Sequence, residues 1–146
     1  MKIDLRRSRP EDKEKIRKLL NATKLPAESV DTNATIFYIA LHDGEVVGMA
    51  GFEFYGSDAL LRSVAVPIEM QRRGIGSMIV DFMLEEAAKS KVENVILLTE
   101  TAKDFFLKKG FTAVERSAIT NKDMKNSSEF AQVCPESAVC MVKELH

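Results

Sequence analysis

The sequence predicts a mixed α/β domain in which helices pack on a central β-sheet. Three observations carry this prediction. An apolar, partly β-branched run at 60–66 is typical of a buried strand, a helical period of apolar residues begins at Ile75, and an Asp-Gly pair at 43–44 separates two further strand-like runs. In chain order the predicted elements are β-α-α-β-β-β-α-β-α-β-β.

The N-terminal region predicts a short strand followed by a helix. Residues 3–5 form the strand, and Ser8 is the expected N-cap of the helix, because a proline follows it by two residues and a glutamate by three. Pro26 closes the helix, and 25–30 forms a turn or a second short helix. The buried face of the first helix is expected at Ile16, Leu19 and Leu20.

Two strands joined by a tight turn are predicted next. The strands at 36–41 and 45–54 flank Asp43-Gly44, a pair that favours the two-residue loop of a β-hairpin. Gly48 and Gly51 interrupt the second strand, which indicates a β-bulge or a close backbone approach at that place.

A glycine-bearing loop joins the strand at 60–66 to the longest predicted helix. Pro67 ends the strand, since proline cannot donate to the next rung of a ladder. The loop reads Gln71-Arg72-Arg73-Gly74-Ile75-Gly76, and the helix follows it directly. The apolar face of this helix is expected at Ile75, Met78, Ile79, Phe82, Met83 and Ala87.

This loop has the features of a phosphate cradle. The first N–H groups of a helix have no partner within it, glycine removes the Cβ that would hold an anion away, and Arg72 and Arg73 add positive charge. The alternative is a plain glycine-containing loop with two solvated arginines. The loop matches neither of two nucleotide-binding motifs. The Rossmann fingerprint needs a small residue at position 79, where this sequence has Ile79. The Walker loop needs Lys-Ser/Thr after its last glycine, whereas Ser77-Met78 follows Gly76.

The rest of the chain continues the alternation of strands and helices. The predicted elements are a strand at 95–98, a helix at 101–109 ended by Gly110, a strand at 111–115, a short helix capped by Ser127 or Ser128 and broken at Pro135, and a last strand at 138–142.

Composition limits the class of protein. A chain of 146 residues with 45% hydrophobic and 29% charged residues is expected to be one domain over 1–146. A net charge of −1 argues against a general nucleic-acid binder, and no apolar run reaches the length of a membrane span. The chain has two cysteines, Cys134 and Cys140, and two are not enough for a disulfide framework or a structural zinc site. We therefore expect no bound metal. We also expect a cytoplasmic protein whose thiols are reduced.

Two motifs in the right order resemble the GCN5-related N-acetyltransferase (GNAT) superfamily. The first is a V-x-P strand end, Val64-Ala65-Val66-Pro67, followed by the Gln-x-x-Gly-x-Gly run at 71–76. The second is the aromatic pair and Lys-Gly-Phe of Phe105-Phe106-Leu107-Lys108-Lys109-Gly110-Phe111. The resemblance implies a single-domain GNAT fold with splayed core strands, acetyl-CoA as acyl donor, and direct attack of an amine on the thioester.

The resemblance also implies roles for single residues. The backbone of Val64, Ala65 and Val66 holds the pantetheine arm, and Phe106 belongs with the cofactor-binding residues. The pyrophosphate lies on Gln71, Arg72, Arg73, Gly74, Ile75, Gly76 and Ser77. One departure matters: many family members carry a tyrosine at the position of Phe106, whose hydroxyl can protonate the leaving thiolate. The general acid is therefore unassigned.

Candidate catalytic bases are few. Glu53 lies within an apolar strand and is expected opposite Arg62 on the next strand. It either forms a cross-strand ion pair that orders the sheet or acts as the base, with Arg62 tuning it or binding an anionic substrate beside Ser63. Glu100 is the second candidate base, with a solvated loop acid as its alternative. His42 and His146 are not placed for catalysis.

A closer resemblance extends over most of the chain. The segments at 25–26, 51–64, 97–99, 105–106, 129–130 and 134–141 look like the arsenic-resistance-associated N-acetyltransferases, relatives of which acetylate arsenical or phosphinic amino acids. We therefore expect transfer of an acetyl group to a small amino-acid-like or toxic amine. The alternatives are a CoA-binding sensor or interaction domain without turnover and a protein N-acetyltransferase. The expected partners are a small-molecule amine and a second copy of the chain in a possible homodimer. We expect no binding to nucleic acid or to a membrane.

Overall fold

The computed structural model describes residues 2–30, 34–127, 129–130 and 137–145. Within them, seven strands form one sheet in the order β1-β2-β3-β4-β5-β7-β6, and helices flank it, so the mixed α/β prediction is confirmed. The strands are β1 (Asp4–Arg7), β2 (Ile36–His42), β3 (Glu45–Tyr55), β4 (Asp58–Ala65), β5 (Asn94–Thr99), β6 (Thr112–Val114) and β7 (Val139–Glu144). The α-helices are α1 (Lys13–Ala22), α2 (Ile75–Lys89), α3 (Lys103–Lys108) and α4 (Lys122–Lys125).

Strand β4 is irregular near its end, as a fold with splayed core strands requires. β4 pairs with β5 in parallel from Asp58↔Asn94 to Leu60↔Ile96, and β4 then continues to Ala65. Ser63, within β4, has a φ of 58°, a left-handed conformation that interrupts a regular strand. A short paired stretch followed by a distorted strand is the arrangement expected of splayed core strands.

The chain divides into two compact units, residues 1–53 with 63–84 and residues 54–62 with 85–146. In the first unit the predicted face of α1 is confirmed. Its core cluster contains Ile16, Leu19, Leu20, Val30, Phe37, Ile39, Met49 and Ala65. In the second unit the core cluster contains Leu60, Ile96, Leu98, Ile119, Met124, Phe130, Ala138 and Cys140. The single-domain prediction stays a prediction.

The hairpin between β2 and β3 confirms the prediction made from Asp43-Gly44. Both turn residues have positive φ, 50° and 80°, as a type I′ turn requires. Ala40 lies opposite Gly48 and Leu41 opposite Val46, so β3 carries one extra residue beside Gly48. A Cβ on Gly48 would lie 2.5 Å from Ile79 Cδ1. The two predicted alternatives, a bulge and a close approach, therefore occur together.

The expected N-cap at Ser8 is wrong. The Ser8 N–H donates to the Phe37 carbonyl at 2.8 Å, and the first helical turn is a 3-10 turn over Pro10–Asp12 with Arg9 as its N-cap. Asp12 Oδ2 accepts the Arg9 backbone N–H at 2.7 Å. Asp12 therefore takes the capping role that the sequence predicted for Glu11. It also pairs with Arg6 at 2.9 Å. The segment 25–30 contains a turn at 28–30 and not a second helix.

The predicted apolar face of α2 is correct except at Met78, which is 40% exposed. Each helical residue advances about 100°, and the buried face is centred near Ile79, Met83 and Ala87. Met78 lies away from that direction, whereas Val80, left out of the predicted face, is fully buried. The short α4 was not predicted. It is capped by Asn121, whose Oδ1 accepts the Met124 N–H at 3.1 Å.

The predicted helix capped at Ser127 or Ser128 lies partly outside the described residues. Pro135, which was expected to break it, also lies outside them. Ser127 Oγ accepts the Phe130 N–H at 3.4 Å. In the part of the chain that the structure covers, no helix is both long and apolar enough to cross a membrane.

Candidate functional site

The loop between β4 and α2 folds back on the end of β4. Arg72 and Gly74 both have left-handed backbone conformations, with φ of 66° and 78°. Gln71 Nε2 donates to the Val66 carbonyl oxygen at 3.0 Å, which ties the loop to the strand. Two left-handed residues in four turn the chain sharply enough that α2 begins at Ile75, directly after the loop.

The loop glycines leave open space. A Cβ on Gly74 would have no neighbour within 4 Å, and one on Gly76 would meet only Val66 Cγ2 at 3.9 Å. Arg72 and Arg73 are exposed beside them. The first intrahelical hydrogen bond runs from the Met78 N–H to the Gly74 carbonyl at 3.1 Å, so the amide groups at the start of α2 precede the helical ladder. The loop has the room, the donors and the charge that a phosphate group needs.

The strand end before the loop holds the three residues expected to bind the pantetheine arm. Ala65 is buried in the core cluster of the first unit, whereas Val64 and Val66 are partly exposed. Ser63, predicted to bind substrate, is also partly exposed and has the left-handed φ that distorts β4. Of these residues, Val66 contacts the loop directly through its carbonyl oxygen.

Glu53 is a buried carboxylate on β3, with 4% of its surface exposed. Thr35 Oγ1 donates a hydrogen bond to Glu53 Oε2 at 2.8 Å. Gly51 makes this contact possible, because a Cβ there would lie 2.8 Å from Thr35 Cγ2 and 3.3 Å from the Phe37 ring. The sequence singled out Glu53 and Gly51 but not Thr35, whose position beside Glu53 follows from the register of β2 and β3.

Arg62 is almost fully buried, with 2% of its surface exposed, and it pairs with Glu129 at 3.5 Å. Glu129 is itself buried, so the structure places two charges together away from water. The sequence offered no signal that pairs these two residues, which lie far apart along the chain. The expected ion pair between Glu53 and Arg62 stays a prediction.

Two further predicted site residues, Glu100 and Phe106, make ordinary contacts with neighbouring side chains. Glu100 is exposed and accepts a hydrogen bond from Ser137 Oγ at 3.2 Å. Phe106 is buried, with its ring edge-to-face against Phe105 at 5.0 Å and Phe111 at 5.5 Å between centroids. Such ring pairs stabilise a core. The role of Phe106 in cofactor binding is therefore still a prediction, beside a packing role that its contacts describe.

The thiols and imidazoles give no catalytic constellation among the described residues. Cys140 is buried in β7, and burial raises the pKa of its thiol, which keeps it protonated. His42 Nδ1 lies 2.9 Å from the Lys2 carbonyl oxygen at the hairpin. Cys134 and His146 lie outside the described residues. Within the described ranges, no three His, Cys, Asp or Glu side chains are grouped closely enough to hold a metal ion.

The sequence matches a known domain family and several proteins. A model of the acetyltransferase (GNAT) domain family matches residues 33–113. The chain is similar to an uncharacterized N-acetyltransferase from Chlorobaculum tepidum, with 28% identity over 84% of this chain and 79% of that protein. It is also similar to an amino-acid acetyltransferase from Mycobacterium tuberculosis, with 38% identity over 58% of this chain. The matched part spans 50% of that relative's length.

Two solved structures illustrate the structural likeness. Rv2747 from Mycobacterium tuberculosis, solved in complex with CoA and NLQ, has a TM-score of 0.80 and 26% identity, and the match covers 98% of this chain and 99% of that one. N-acetylglutamate synthase from Neisseria gonorrhoeae, complexed with coenzyme A and N-acetyl-glutamate, has a TM-score of 0.80 at 15% identity. That match covers 100% of this chain but 36% of the synthase, and it shows the fold alone.

Proposed function

The chain belongs to the acetyltransferase (GNAT) domain family, and from that premise we propose that it transfers an acetyl group from acetyl-CoA to the amine of a small amino-acid-like molecule. The observation that carries the proposal is the open, positively charged loop at 71–77, where a Cβ on Gly74 would meet nothing within 4 Å. This loop and Glu53 both lie inside the part of the chain that matches the family model.

We assign the loop to the pyrophosphate of acetyl-CoA. Gly74 and Gly76 give the phosphate oxygens access to the backbone at the start of α2, and Arg72 and Arg73 supply charge. The distorted end of β4 at 64–66 would hold the pantetheine arm through its backbone. Bound acetyl-CoA supplies a thioester whose carbonyl carbon the acceptor amine attacks, with CoA leaving as a thiolate.

Glu53 is the proposed base. An amine that is protonated at neutral pH must lose a proton before it attacks, and a carboxylate can accept that proton directly or through one water. Glu53 is buried, and the hydrogen bond from Thr35 fixes its carboxylate. Glu100 is the less favoured candidate because its side chain is exposed on a loop. Thiolate departure without a general acid is chemically reasonable, since a thiol ionises near neutral pH.

The acceptor class rests on the relatives. The name of the Mycobacterium tuberculosis relative specifies an amino acid as acceptor, and its 38% identity makes an amino-acid-like amine the first class to test here. Arsenical and phosphinic amino acids belong to the same chemical class and stay within the proposal.

The proposal also includes a homodimer and a cytoplasmic location. Analytical sedimentation tests the oligomeric state, and cell fractionation tests the location.

The decisive experiment is release of free CoA, followed with a thiol reagent over a panel of amino acids, amino phosphonates, arsenical amino acids and polyamines. A control without acceptor corrects for the protein's own thiols and for hydrolysis. We expect turnover with amino-acid-like acceptors and none with polyamines. Tight acetyl-CoA binding without CoA release on any acceptor would contradict the enzyme proposal and favour a CoA-binding domain without turnover.

A further inference from the structure

A buried polar contact joins the residue before β2 to the second half of β3, within the first unit. β2 begins at Ile36, which lies opposite Phe52, so Thr35 and Glu53 are the next residues along the two paired chains. Both are buried, with 8% and 4% of their surfaces exposed. Thr35 Oγ1 donates to Glu53 Oε2 at 2.8 Å, a normal length for a hydroxyl donor. The hydroxyl therefore meets the carboxylate away from bulk water.

A buried carboxylate that accepts protons depends on its hydrogen-bond donors. Removing a charge from water is costly unless polar partners replace the water, so losing a donor disfavours the ionised form that accepts a proton. A donor on one oxygen also limits rotation of the carboxylate about its Cγ–Cδ bond. Proton transfer needs the accepting oxygen within hydrogen-bond reach of the amine or of one bridging water. The Thr35 hydroxyl therefore supports both the charge and the orientation that the proposed base requires.

Gly51 leaves the space that the Thr35 side chain occupies. A Cβ at position 51 would lie 2.8 Å from Thr35 Cγ2 and 3.3 Å from Phe37 Cδ1. Both distances are shorter than the optimal separation of two carbon atoms. Phe37 belongs to the core cluster of the first unit and Thr35 is buried as well, so neither side chain can move away freely. A methyl group at position 51 would therefore shift Thr35, and with it the hydroxyl that reaches Glu53.

We propose that Thr35 is a positioning residue for acetyl transfer, which holds the Glu53 carboxylate through Oγ1, and that Gly51 is required because it admits the Thr35 methyl group. The inference rests on the proposed function, in which Glu53 accepts the proton of the acceptor amine. Neither Thr35 nor Gly51 needs to contact acetyl-CoA or the acceptor for this role. Their effect should therefore fall on kcat, because the orientation of a base acts in the chemical step.

Variants at position 35 separate the hydroxyl from the shape of the side chain, with the acceptor that the CoA-release panel identifies. Thr35→Val keeps the shape and loses the donor, and we expect kcat to fall about tenfold, as for one lost hydrogen bond to a charged group. KM for the acceptor and the Kd for acetyl-CoA should change less than about twofold. Thr35→Ser keeps the hydroxyl and should keep kcat within about twofold of the wild type. Equal kcat in Thr35→Val and Thr35→Ser would overturn the proposal.

Urea unfolding shows whether each of these variants folds. Thr35→Ala lacks the donor without placing a methyl group against the carboxylate, and it takes the place of Thr35→Val if that variant does not fold. The same loss of kcat is expected of it, and the same comparison with Thr35→Ser applies.

A rescue experiment tests the role of Gly51. Gly51→Ala should lower kcat about tenfold, because it displaces the hydroxyl of Thr35. Adding Thr35→Ser should restore kcat to within about threefold of the wild type, since serine lacks the Cγ2 atom that the new methyl group would meet. Gly48→Ala is the matched control, because Gly48 is a crowded glycine of the same strand whose Cβ would meet Ile79 Cδ1 at 2.5 Å. Adding Thr35→Ser to Gly48→Ala should leave its kcat unchanged. No rescue at Gly51, or equal rescue at Gly48, would overturn the role of Gly51.

Glu53→Gln distinguishes failure of this proposal from failure of the proposed function. If Glu53→Gln lowers kcat while Thr35→Val does not, Glu53 is still the base and the positioning role fails alone. If Glu53→Gln has the kcat of the wild type, the base assignment fails and the positioning role fails with it. Thr35→Val should cause no further loss when it is added to Glu53→Gln, and a full further loss would show that Thr35 acts elsewhere and overturn the proposal.

If the wild-type chain turns over no acceptor, the proposed function fails separately and a spectroscopic measurement decides whether Thr35 holds the carboxylate. The ¹³C resonance of the Glu53 carboxyl group is assigned by its absence from the spectrum of Glu53→Gln. A resonance that Thr35→Val shifts and Thr35→Ser leaves in place supports the role of the hydroxyl. A resonance that is the same in both variants and in the wild type overturns it.

Discussion

The glycines of β3 and those of the loop at 71–77 stand in opposite surroundings. A Cβ on Gly48 would lie 2.5 Å from Ile79 Cδ1, and one on Gly51 would lie 2.8 Å from Thr35 Cγ2. In the loop, a Cβ on Gly74 would meet nothing, and one on Gly76 would reach a single atom at 3.9 Å. The strand glycines are required because neighbours press against them, whereas the loop glycines keep a surface open.

Within the first unit, the glycines of β3 are constrained by packing, whereas the glycines of the loop at 71–77 are constrained by the need for open space. Crowded glycines set how β3 packs on α2 and how Thr35 reaches Glu53, so changes there should affect stability or the chemical step. Open glycines have no side-chain neighbour to disturb, so changes there should act mainly on ligand binding, apart from the backbone strain that a side chain adds at Gly74, where φ is 78°. The predictions below test that separation.

The largest expected effect comes from Glu53→Gln. If Glu53 is the base, kcat should fall about 100-fold, within the range of general-base catalysis, with little change in the Kd for acetyl-CoA. Glutamine keeps the size of the side chain and an oxygen that can accept from Thr35 Oγ1. Steady-state kinetics across pH checks this. A rate and a pH profile like those of the wild type would leave Glu53 with a structural role only.

The next effect compares the same chemical change in the two regions. Gly48→Ala should destabilise the protein by about 1–2 kcal/mol, because Ile79 and Ile75 are both buried and have little room to move. Gly76→Ala lies in a helix with open space and should leave stability unchanged or raise it by up to ~1 kcal/mol. Urea unfolding measures both. Equal free energies of unfolding in the two variants would refute the contrast between crowded and open glycines.

The smallest effect concerns acid stability at the turn before α1, where Asp12 lies. The Arg6 guanidinium that donates to Asp12 holds the pKa of that carboxyl below its usual value, against the opposing effect of burial. The ionised pair therefore contributes stability above the unfolded pKa of about 4, and this contribution is lost as pH falls through the lowered folded pKa. Asp12→Asn should be less stable at pH 7 and lose less stability on acidification. Unfolding at pH 7 and pH 3 checks this, and identical pH slopes for wild type and variant would contradict it.

Local signals in the sequence predicted most of the fold. The hairpin at Asp43-Gly44 and the face of α1 depend on neighbours in sequence, and both are as expected. The errors arise where tertiary contacts decide. Ser8 is held by the Phe37 carbonyl and so does not cap the helix, and Met78 lies at a helix position that the apolar spacing alone could not exclude.

The candidate site was predictable where it depends on one continuous segment. The loop at 71–77 could be recognised because its glycines, arginines and following helix are adjacent in sequence. The partner of Arg62 could not, since Glu129 comes from a distant segment without a periodic pattern. Thr35 was missed for the same reason, because it meets Glu53 only when β2 and β3 pair.

The central claim is that the loop at 71–77 holds acetyl-CoA, and titration of acetyl-CoA into Gly74→Glu tests it most directly. Gly44→Glu is the matched control, because Gly44 has nearly the same φ, 80° against 78°, and equally open space in the hairpin turn. Both variants carry the same backbone strain and added charge. We expect Gly74→Glu to weaken binding at least ~100-fold, because it places a carboxylate at the position that we propose for the pyrophosphate, and Gly44→Glu to bind like the wild type. Equal affinity in the two variants would contradict the assignment of the loop.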